Sequence, residues 1–360
     1  MKIRYYISGH GLGHASRSGQ IINALRRRHP SIAVEVVSSA HPWFFAGFLD
    51  PSVPVRRLSL DLGVLQRDSL VMEEEATLQA CRDFLPLRLQ LVAAEAASLR
   101  NAGVSLVAAD IPAPPFAAAA AAGVPSVAIS NFSWDWIYAG LAEKHPGYDD
   151  VVAAVGSDYT QAGLLLRLPF CGDFPAFRRI EDLPLVARHA RRPAADVRRA
   201  LGIAEGTRVG LISFGGFGLN GFDFAPLANL HDWIFLTEAG LGAAADNVRV
   251  IAADHYYPDL VAAADVVITK PGYGIVSEAI ANDTAVLYTA RGDFREQALL
   301  VAALHRFTRA REIGNDELRR GQWGEELEAL LAQPQPAEKL PADGDVVAAD
   351  RLAELAKGCF

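Results

Sequence analysis

The fold of this chain of 360 residues is set by residues 3–17, which read IRYYISGHGLGHASR. Residues 3–8 are a short aliphatic and aromatic run, and three glycines follow it within five positions. A buried strand that ends in a glycine-rich turn and leads into a helix is typical of the first strand of a parallel α/β sheet. Runs of the same kind recur along the chain, so the alternation predicts the α/β class.

Two series of strands are predicted, separated by a proline- and arginine-rich segment. After residues 3–8, the predicted strands are residues 32–38, 53–60, 104–109, 126–130, 164–168, 209–214, 233–237, 248–252, 266–269 and 285–288. Predicted helices include residues 69–99, 194–201, 258–264, 275–281, 295–304 and 346–357. We expect two Rossmann-like, doubly wound domains that face each other across a cleft. Their bounds are predicted as 1–188 and 207–335, with a linker at 189–206 and a final stretch, 336–360, that packs back on the first domain.

Composition excludes some classes of function. The net charge of −8 argues against a nucleic-acid partner, which usually requires a basic face. The three cysteines are scattered, with neither a disulfide framework nor zinc-ligand spacing, so no metal or cofactor is expected. Neither a signal peptide nor a membrane span is predicted, and the cytoplasm is the expected location. The aromatic segment 41–49 is compatible with membrane docking, but its spacing favours a packed helix face. The oligomeric state is left open.

The first glycine loop carries two histidines, His10 and His14, which an ordinary turn does not need. Dinucleotide binding would require a third glycine where Ser16 stands, and an acid where strand two ends in serines. A metal site would lack a third ligand. We favour a general base at the mouth of a cleft, since a neutral imidazole suits deprotonation of a hydroxyl. Gly11 and Gly13 would let a ligand approach the backbone closely.

The second series of strands has two turns suited to phosphate. Gly215 and Gly216 follow the strand 209–214, where they allow close approach of a diphosphate. Residues 269–278, TKPGYGIVSE, end a strand and open a helix whose free N–H groups would bind phosphate. Within that segment the predicted donor-binding residues are Lys270, Gly272, Gly274, Ser277 and Glu278. Glu278 would accept both hydroxyls of a ribose, and the alternative is a capping or solvated carboxylate.

Other polar and aromatic residues follow strands and are candidates for the same cleft. Glu296 and Gln297 open a later helix and would bind sugar hydroxyls, unless Glu296 only completes a helix cap. His255 would read a nucleobase edge. Trp134 and Trp136 would bind the acceptor through their indole faces, with core packing as the alternative, and Asp135 would orient a hydroxyl or assist a histidine.

These elements together resemble GT-B glycosyltransferases of the MurG-like group, or glycosyltransferase family 28. The loop 11–14 is similar to that family's N-terminal glycine loop, in which a histidine lies near the reacting centre. The segment 270–278 is similar to its nucleotide-binding helix start, with Glu278 at the ribose-binding glutamate and Gln297 at the donor-sugar position. Residues 10–17 also resemble the glycosyltransferase-like N-terminal region of plant arabinokinases and related bacterial proteins, without implying kinase activity.

The resemblance implies a glycosyltransferase that moves a sugar from a nucleotide-diphosphate sugar, with UDP favoured, to an unidentified hydroxyl acceptor. Inversion at the anomeric carbon and independence from metal are implied in the same way. His14, or His10 with Asp135, would deprotonate the acceptor. Two alternatives stay open: a nucleotide-sugar epimerase of the same architecture, and a non-catalytic protein that binds sugar nucleotides. The turn at 270–274 and Glu296 depart from the family's usual residues, which leaves the donor's identity open.

Overall fold

The computed structural model describes residues 1–360 except 68–69, 216–220, 239–244, 253–254, 291 and 360, and the side chains of residues 42 and 43. The chain forms two compact units. Unit 1 comprises Met1–Leu65, Glu73–Val186 and Pro341–Phe360, and unit 2 comprises Gln66–Met72 and Ala187–Leu340. The predicted bounds at 188, 206 and 335 stay predictions.

Unit 1 is built around a parallel sheet. Its strands are β1 (Lys2–Ile7), β2 (Ala33–Ser38), β3 (Val55–Arg57), β4 (Leu106–Asp110), β5 (Ser126–Ser130), β6 (Leu164–Arg167) and β7 (Ile180–Asp182). They lie in the order β3-β2-β1-β4-β5-β6-β7, and every neighbouring pair is parallel. The central strands β4 and β5 are buried throughout, because helices cover both faces of a doubly wound sheet.

The helices of unit 1 are α1 (Leu12–Arg28), α2 (Pro42–Ala46), α3 (Glu74–Asn101), α4 (Pro114–Ala122), α5 (Trp134–Lys144), α6 (Asp149–Tyr159) and α13 (Gly344–Ala356). The helix α13 packs on α1, although more than three hundred residues separate them. Asp350 of α13 accepts hydrogen bonds from Arg28 at 2.7 and 2.8 Å, and Arg351 pairs with Glu181 of β7. The residues 341–360 therefore complete unit 1.

Unit 2 repeats the architecture. Its strands are β8 (Arg208–Ser213), β9 (Trp233–Glu238), β10 (Val248–Ile251), β11 (Val266–Thr269), β12 (Ala285–Tyr288) and β13 (Ala310–Glu312). Its helices are α7 (Ala194–Ala200), α8 (Tyr257–Ala263), α9 (Tyr273–Ala281), α10 (Arg295–Phe307), α11 (Asn315–Arg319) and α12 (Gly324–Leu331). The order is β10-β9-β8-β11-β12-β13, again with every pair parallel. Leu70, from the segment Gln66–Met72, is buried among the apolar residues of this unit.

The predicted α/β class and the two doubly wound sheets are confirmed, and the differences lie at the edges. The strands β7 and β13 were not predicted, and β3 is shorter than residues 53–60. All three are edge strands in the sheet orders, and all three carry charged residues. The helix predicted over 69–99 begins at Glu74, because residues 66 and 72 pair in an antiparallel bridge first.

Candidate functional site

The order of the strands defines a topological switch point in each sheet, where the direction of winding reverses. In unit 1 the chain proceeds outward from β1 on one side and from β4 on the other. Ligands of doubly wound sheets bind at the carboxyl ends of the strands beside this switch point. The loop after β1 and the last residue of β4, Asp110, lie there.

The loop after β1 brings the backbone and one helix start to this point. Gly11 precedes α1 with φ of +74°, a conformation that favours glycine, and a Cβ there would meet no atom within 4 Å. Among the described residues, no side chain caps α1 at Gly11. Gly13 lies in the first turn of the helix. The free space and the helix N-terminus together suit a polar or anionic ligand.

His14, in the first turn of α1, contacts Asp110 directly. The distance from its Nδ1 to Asp110 Oδ1 is 2.8 Å, and both side chains are buried. An ionised carboxylate only accepts hydrogen bonds, so Nδ1–H of the neutral imidazole donates to it. Arg17 Nη2 lies 3.1 Å from the same nitrogen and donates to Asp110 Oδ1 instead. The proton of the neutral ring is then on Nδ1, and Nε2 keeps its lone pair. The ring edge also packs on Phe132.

Arg17 holds the same carboxylate from one turn further along α1. Its Nε and Nη2 donate to the two oxygens of Asp110, both at 2.7 Å, and Nη1 donates to Asn131 at 2.6 Å. The hydroxyl of Ser18 adds a further bond at 2.8 Å. Burial alone would raise the pKa of Asp110, but attraction to Arg17 and His14, with their hydrogen bonds, holds it well below its usual value.

His10 has a different environment from His14. The backbone N–H of Val64 lies 3.3 Å from its Nδ1, and a Cβ on Gly63 would lie 2.4 Å from the ring. A neutral ring whose Nδ1 accepts this bond carries its proton on Nε2. His10 can therefore donate from Nε2, whereas His14 can accept there.

Trp134 is a core residue that lies close to both His10 and His14. It is 1% exposed, and its ring stacks on Tyr138 at 5.7 Å and meets the edge of His10 at 5.4 Å. Its Nε1–H donates to Asp61 Oδ2 at 2.8 Å. The prediction that Trp134 offers an indole face to an acceptor needs correction, because neighbouring rings cover it. Its polar edge faces the site instead.

The other predicted residues of α5 also point elsewhere. Asp135 is buried and lies beside α6, where a Cβ on Gly156 would be 3.6 Å from its Oδ2. Burial raises the pKa of this carboxyl. Trp136 is half-buried and packs over Gly172. The carboxylate in contact with His14 is thus Asp110, not Asp135.

The switch point of unit 2 lies between β8 and β11. The Thr269 hydroxyl at the end of β11 donates to the carbonyl of Ser213 at the end of β8, at 2.5 Å. Gly215 follows with φ of +68°. Gly216 lies outside the described residues. Lys270 follows β11 directly and is half-buried.

The helix α9 starts at this switch point. Gly272 precedes it with extended backbone, and a Cβ there would meet no atom of the described residues within 4 Å, so these residues leave space over the helix N-terminus. Gly274 lies in the first turn, and the Ser277 hydroxyl donates to its carbonyl at 2.9 Å. Free space over backbone N–H groups is the arrangement in which helices bind phosphate.

Glu278, one turn into α9, is paired with Arg188. Arg188 Nε donates to Glu278 Oε1 at 2.6 Å, and the carboxylate is 3% exposed. Attraction to Glu278 outweighs burial and raises the pKa of Arg188. The segment 188–192 is held nearby, because Asn282 Oδ1 accepts from the N–H of Ala190 at 3.0 Å. The sequence therefore located the glutamate but not its partner.

The remaining predicted donor residues lie near the starts of two other helices of unit 2, α8 and α10. His255 lies two residues before α8 and is half-buried. Glu296 and Gln297 lie in the first turn of α10, where Glu296 is buried and Gln297 half-buried. The cap of this helix is Phe294, and among the described residues no side chain completes it.

Three residues that the sequence did not single out contribute to these sites: Asp110, Arg17 and Asp61. Asp110 directly follows a predicted strand, and the strand order would have placed it beside the first glycine loop. Within the described part of the chain, no group of three or more His, Cys, Asp or Glu side chains could hold a metal ion. Among the described helices, none is long and apolar enough to cross a membrane.

Two Rossmann-like units with these strand orders define the GT-B fold, and solved structures agree. The calicheamicin glycosyltransferase CalG4 aligns with a TM-score of 0.62 and 17% identity, over 99% of this chain and 98% of that one. Phytolacca americana UGT2, complexed with UDP-2fluoro-glucose and pterostilbene, aligns with a TM-score of 0.61 and 14% identity, over 99% of this chain and 94% of that one. Acinetobacter baumannii MurG aligns with a TM-score of 0.57 and 14% identity, over 98% of this chain and 99% of that one.

Among curated proteins, the chain is similar to L-arabinokinase of Arabidopsis thaliana. The two are 32% identical over 364 residues, which cover 98% of this chain and 34% of that protein. The chain thus spans about a third of the length of this relative. No protein-family model matches the chain.

Proposed function

We propose that the protein transfers a sugar from a nucleotide-diphosphate sugar to a hydroxyl acceptor. The observation that carries the proposal is the contact between His14 and Asp110 at the switch point of unit 1. A neutral imidazole with its Nδ1–H held by a carboxylate keeps Nε2 available as a base, which deprotonation of a hydroxyl requires.

In the proposed reaction, Nε2 of His14 accepts the proton of the acceptor hydroxyl. The acceptor oxygen attacks the anomeric carbon while the bond from that carbon to the diphosphate oxygen breaks. The nucleoside diphosphate leaves with the electron pair, and one displacement inverts the anomeric centre. Asp110 orients the ring throughout and stabilises the imidazolium.

The donor is assigned to unit 2. The diphosphate would bind over Gly272 at the start of α9, beside Lys270 and Gly215, where N–H groups and the helix dipole stabilise the leaving charge without a metal ion. Glu278 with Arg188 would meet the ribose, and Gln297 and Glu296 the sugar. Because UGT2 was solved with a UDP-sugar analogue, UDP is the favoured nucleotide.

The test starts with thermal shifts in UDP, dTDP, GDP, UDP-glucose and UDP-galactose, since a ligand that binds the folded state stabilises it. Donor consumption and product are then followed with and without acceptor. We expect His14→Ala to keep the thermal shift and to lose about 10²-fold or more of the transfer rate. His231→Ala, at an exposed histidine of unit 2, is the control.

Each other outcome has a definite meaning. No stabilisation by any nucleotide would refute the donor site. Conversion of the donor to its epimer without acceptor would replace the transferase by an epimerase. Binding without turnover under every condition would leave a protein that only binds sugar nucleotides.

A further inference from the structure

The segment 61–64 of unit 1, which follows β3, reaches the switch point, where it contacts His10 and the helix α5. The N–H of Val64 lies 3.3 Å from His10 Nδ1, and the hydroxyl of Tyr138 donates to the carbonyl of Gly63 at 3.0 Å. Asp61 opens this segment. The loop that carries Asp61 is therefore held from two sides beside the proposed base.

Two buried side chains donate hydrogen bonds to the Asp61 carboxylate. The indole N–H of Trp134 donates to Oδ2 at 2.8 Å, and the hydroxyl of fully buried Ser8 is a second donor. Loss of solvation raises the pKa of Asp61, while these bonds and the nearby His14 lower it. Asp61 as a whole residue is nevertheless half-buried rather than fully buried. An oriented carboxylate with an exposed part accepts hydrogen bonds from a ligand.

The aromatic rings around this carboxylate are closed to a ligand. Trp134, Phe132 and Tyr138 are all at most 3% exposed and pack on one another. Among the described residues that contact Trp134, His10 and Asp61 are half-buried, whereas His14, Phe132 and Tyr138 are buried. The accessible groups beside His14 are thus a hydrogen-bond donor and an acceptor rather than an aromatic platform.

We infer that the acceptor is a polyhydroxylated molecule, a sugar or a polyol, and that Asp61 and His10 bind hydroxyls next to the one that His14 deprotonates. A carboxylate that accepts from one hydroxyl and an imidazole N–H that donates to the next match vicinal hydroxyls. A flat phenol offers one hydroxyl and an apolar ring, so it could bind only one of the two polar groups beside His14. The inference rests on the proposed function, because it names the acceptor of that reaction.

The test measures acceptor binding without any donor. D-Galactose, D-xylose, L-arabinose and myo-inositol, each at millimolar concentration, are compared with umbelliferone by saturation-transfer NMR. We expect at least one of the four polyols to bind and umbelliferone not to bind. Asp61→Asn keeps the shape of the side chain and should weaken that binding about tenfold or more. Asp149→Asn, at an exposed carboxylate of α6, should leave it unchanged.

A second measurement needs no Asp61 variant. The ring Cε1–H signals of His10 and His14, assigned with His10→Gln and His14→Gln, should shift when the bound polyol is added to the natural protein. Absence of binding by all four polyols, or binding that Asp61→Asn leaves unchanged, overturns the inference. The nucleotide thermal shifts are independent: umbelliferone glycosylation with no polyol binding would overturn only the acceptor class, and polyol binding with no nucleotide binding only the proposed transfer.

Discussion

At the scale of single residues, Asp110 combines structural and chemical roles. Its two oxygens accept from His14, from two nitrogens of Arg17 and from Ser18, all without solvent. Asp110→Asn would deprive the buried guanidinium of its carboxylate and turn an NH₂ group toward donors. We expect a loss of about 3–5 kcal/mol in the free energy of unfolding, the usual cost of breaking a buried pair. Urea unfolding measures it.

The matched control is Asp150→Asn, whose carboxylate pairs with Arg82 on the surface. Solvent screens that pair, so the free energy of unfolding should not change. An equally small loss for Asp110→Asn would mean that the Arg17 pair contributes little to stability.

The same carboxylate gives the stability a pH dependence. The folded protein holds the pKa of Asp110 below its ordinary value of 3.8, so the unfolded chain binds the proton more readily. The stabilisation is therefore fully present above that value and is lost as the pH falls below it. Between about pH 5 and 2, the free energy of unfolding should fall more steeply for the natural protein than for Asp110→Asn. Parallel curves would contradict the lowered pKa.

The pair of Arg188 and Glu278 allows ligand binding to be separated from stability. Replacing both with apolar residues of similar size, in Arg188→Met with Glu278→Leu, should leave the free energy of unfolding nearly unchanged. Glu278→Leu alone should cost about 3–5 kcal/mol, because the buried guanidinium loses its anion. We expect the double variant to fold but to lose its thermal shift with UDP. A retained shift would show that Glu278 does not contact the nucleotide.

The sequence singled out residues at the switch points where a motif is local, and it missed partners that are distant in the chain. His14 and Glu278 stand in short motifs after strands, and the structure places both at switch points. Asp110 is 96 positions from His14, so only the strand order brings it there. Trp134 looked like a sugar platform because its position after a strand says nothing of the rings that cover it.

At the scale of elements, the start of α9 makes a prediction that contrasts two glycines. A Cβ at Gly272 meets nothing within 4 Å, whereas one at Gly210 of β8 would lie 2.6 Å from Phe235. Gly272→Ala should therefore keep the melting temperature and weaken UDP binding, because the methyl group fills the space over the helix N–H groups. Gly210→Ala should lower the melting temperature through overpacking. Calorimetric titration of Gly272→Ala with UDP measures the change in affinity, and undiminished affinity would contradict a nucleotide site at the start of α9.

Central strands were predictable from the sequence, and edge strands were not. The strands β4, β5 and β11 are buried throughout and apolar except at their ends, as both faces of the sheet require. The strands β7 and β13 read IED and ARE, and each pairs on one side. Short polar segments of this kind are defined by the neighbouring strand rather than by their own pattern.

At the scale of the whole molecule, α13 gives a test of how unit 1 is completed. Ala348, Ala349 and Leu352 of this helix are fully buried. A chain that stops at Leu340 would expose their partners on α1. We expect faster hydrogen exchange in peptides from α1 and β1, with peptides from β8 and β11 unchanged. Val347→Ser, at an exposed position of α13, is the control. Equal protection of α1 in both chains would contradict a stabilising role for α13.

The position of α13 also has a consequence for the order in which the protein is made. A ribosome releases residues 187–340 before residues 341–360, so the second sheet can close while the first still lacks a helix. Unit 1 is thus begun first and completed last. A gene fragment that encodes residues 1–186 would yield an incomplete unit, and separate production of that half requires residues 341–360 to be joined to it by a linker.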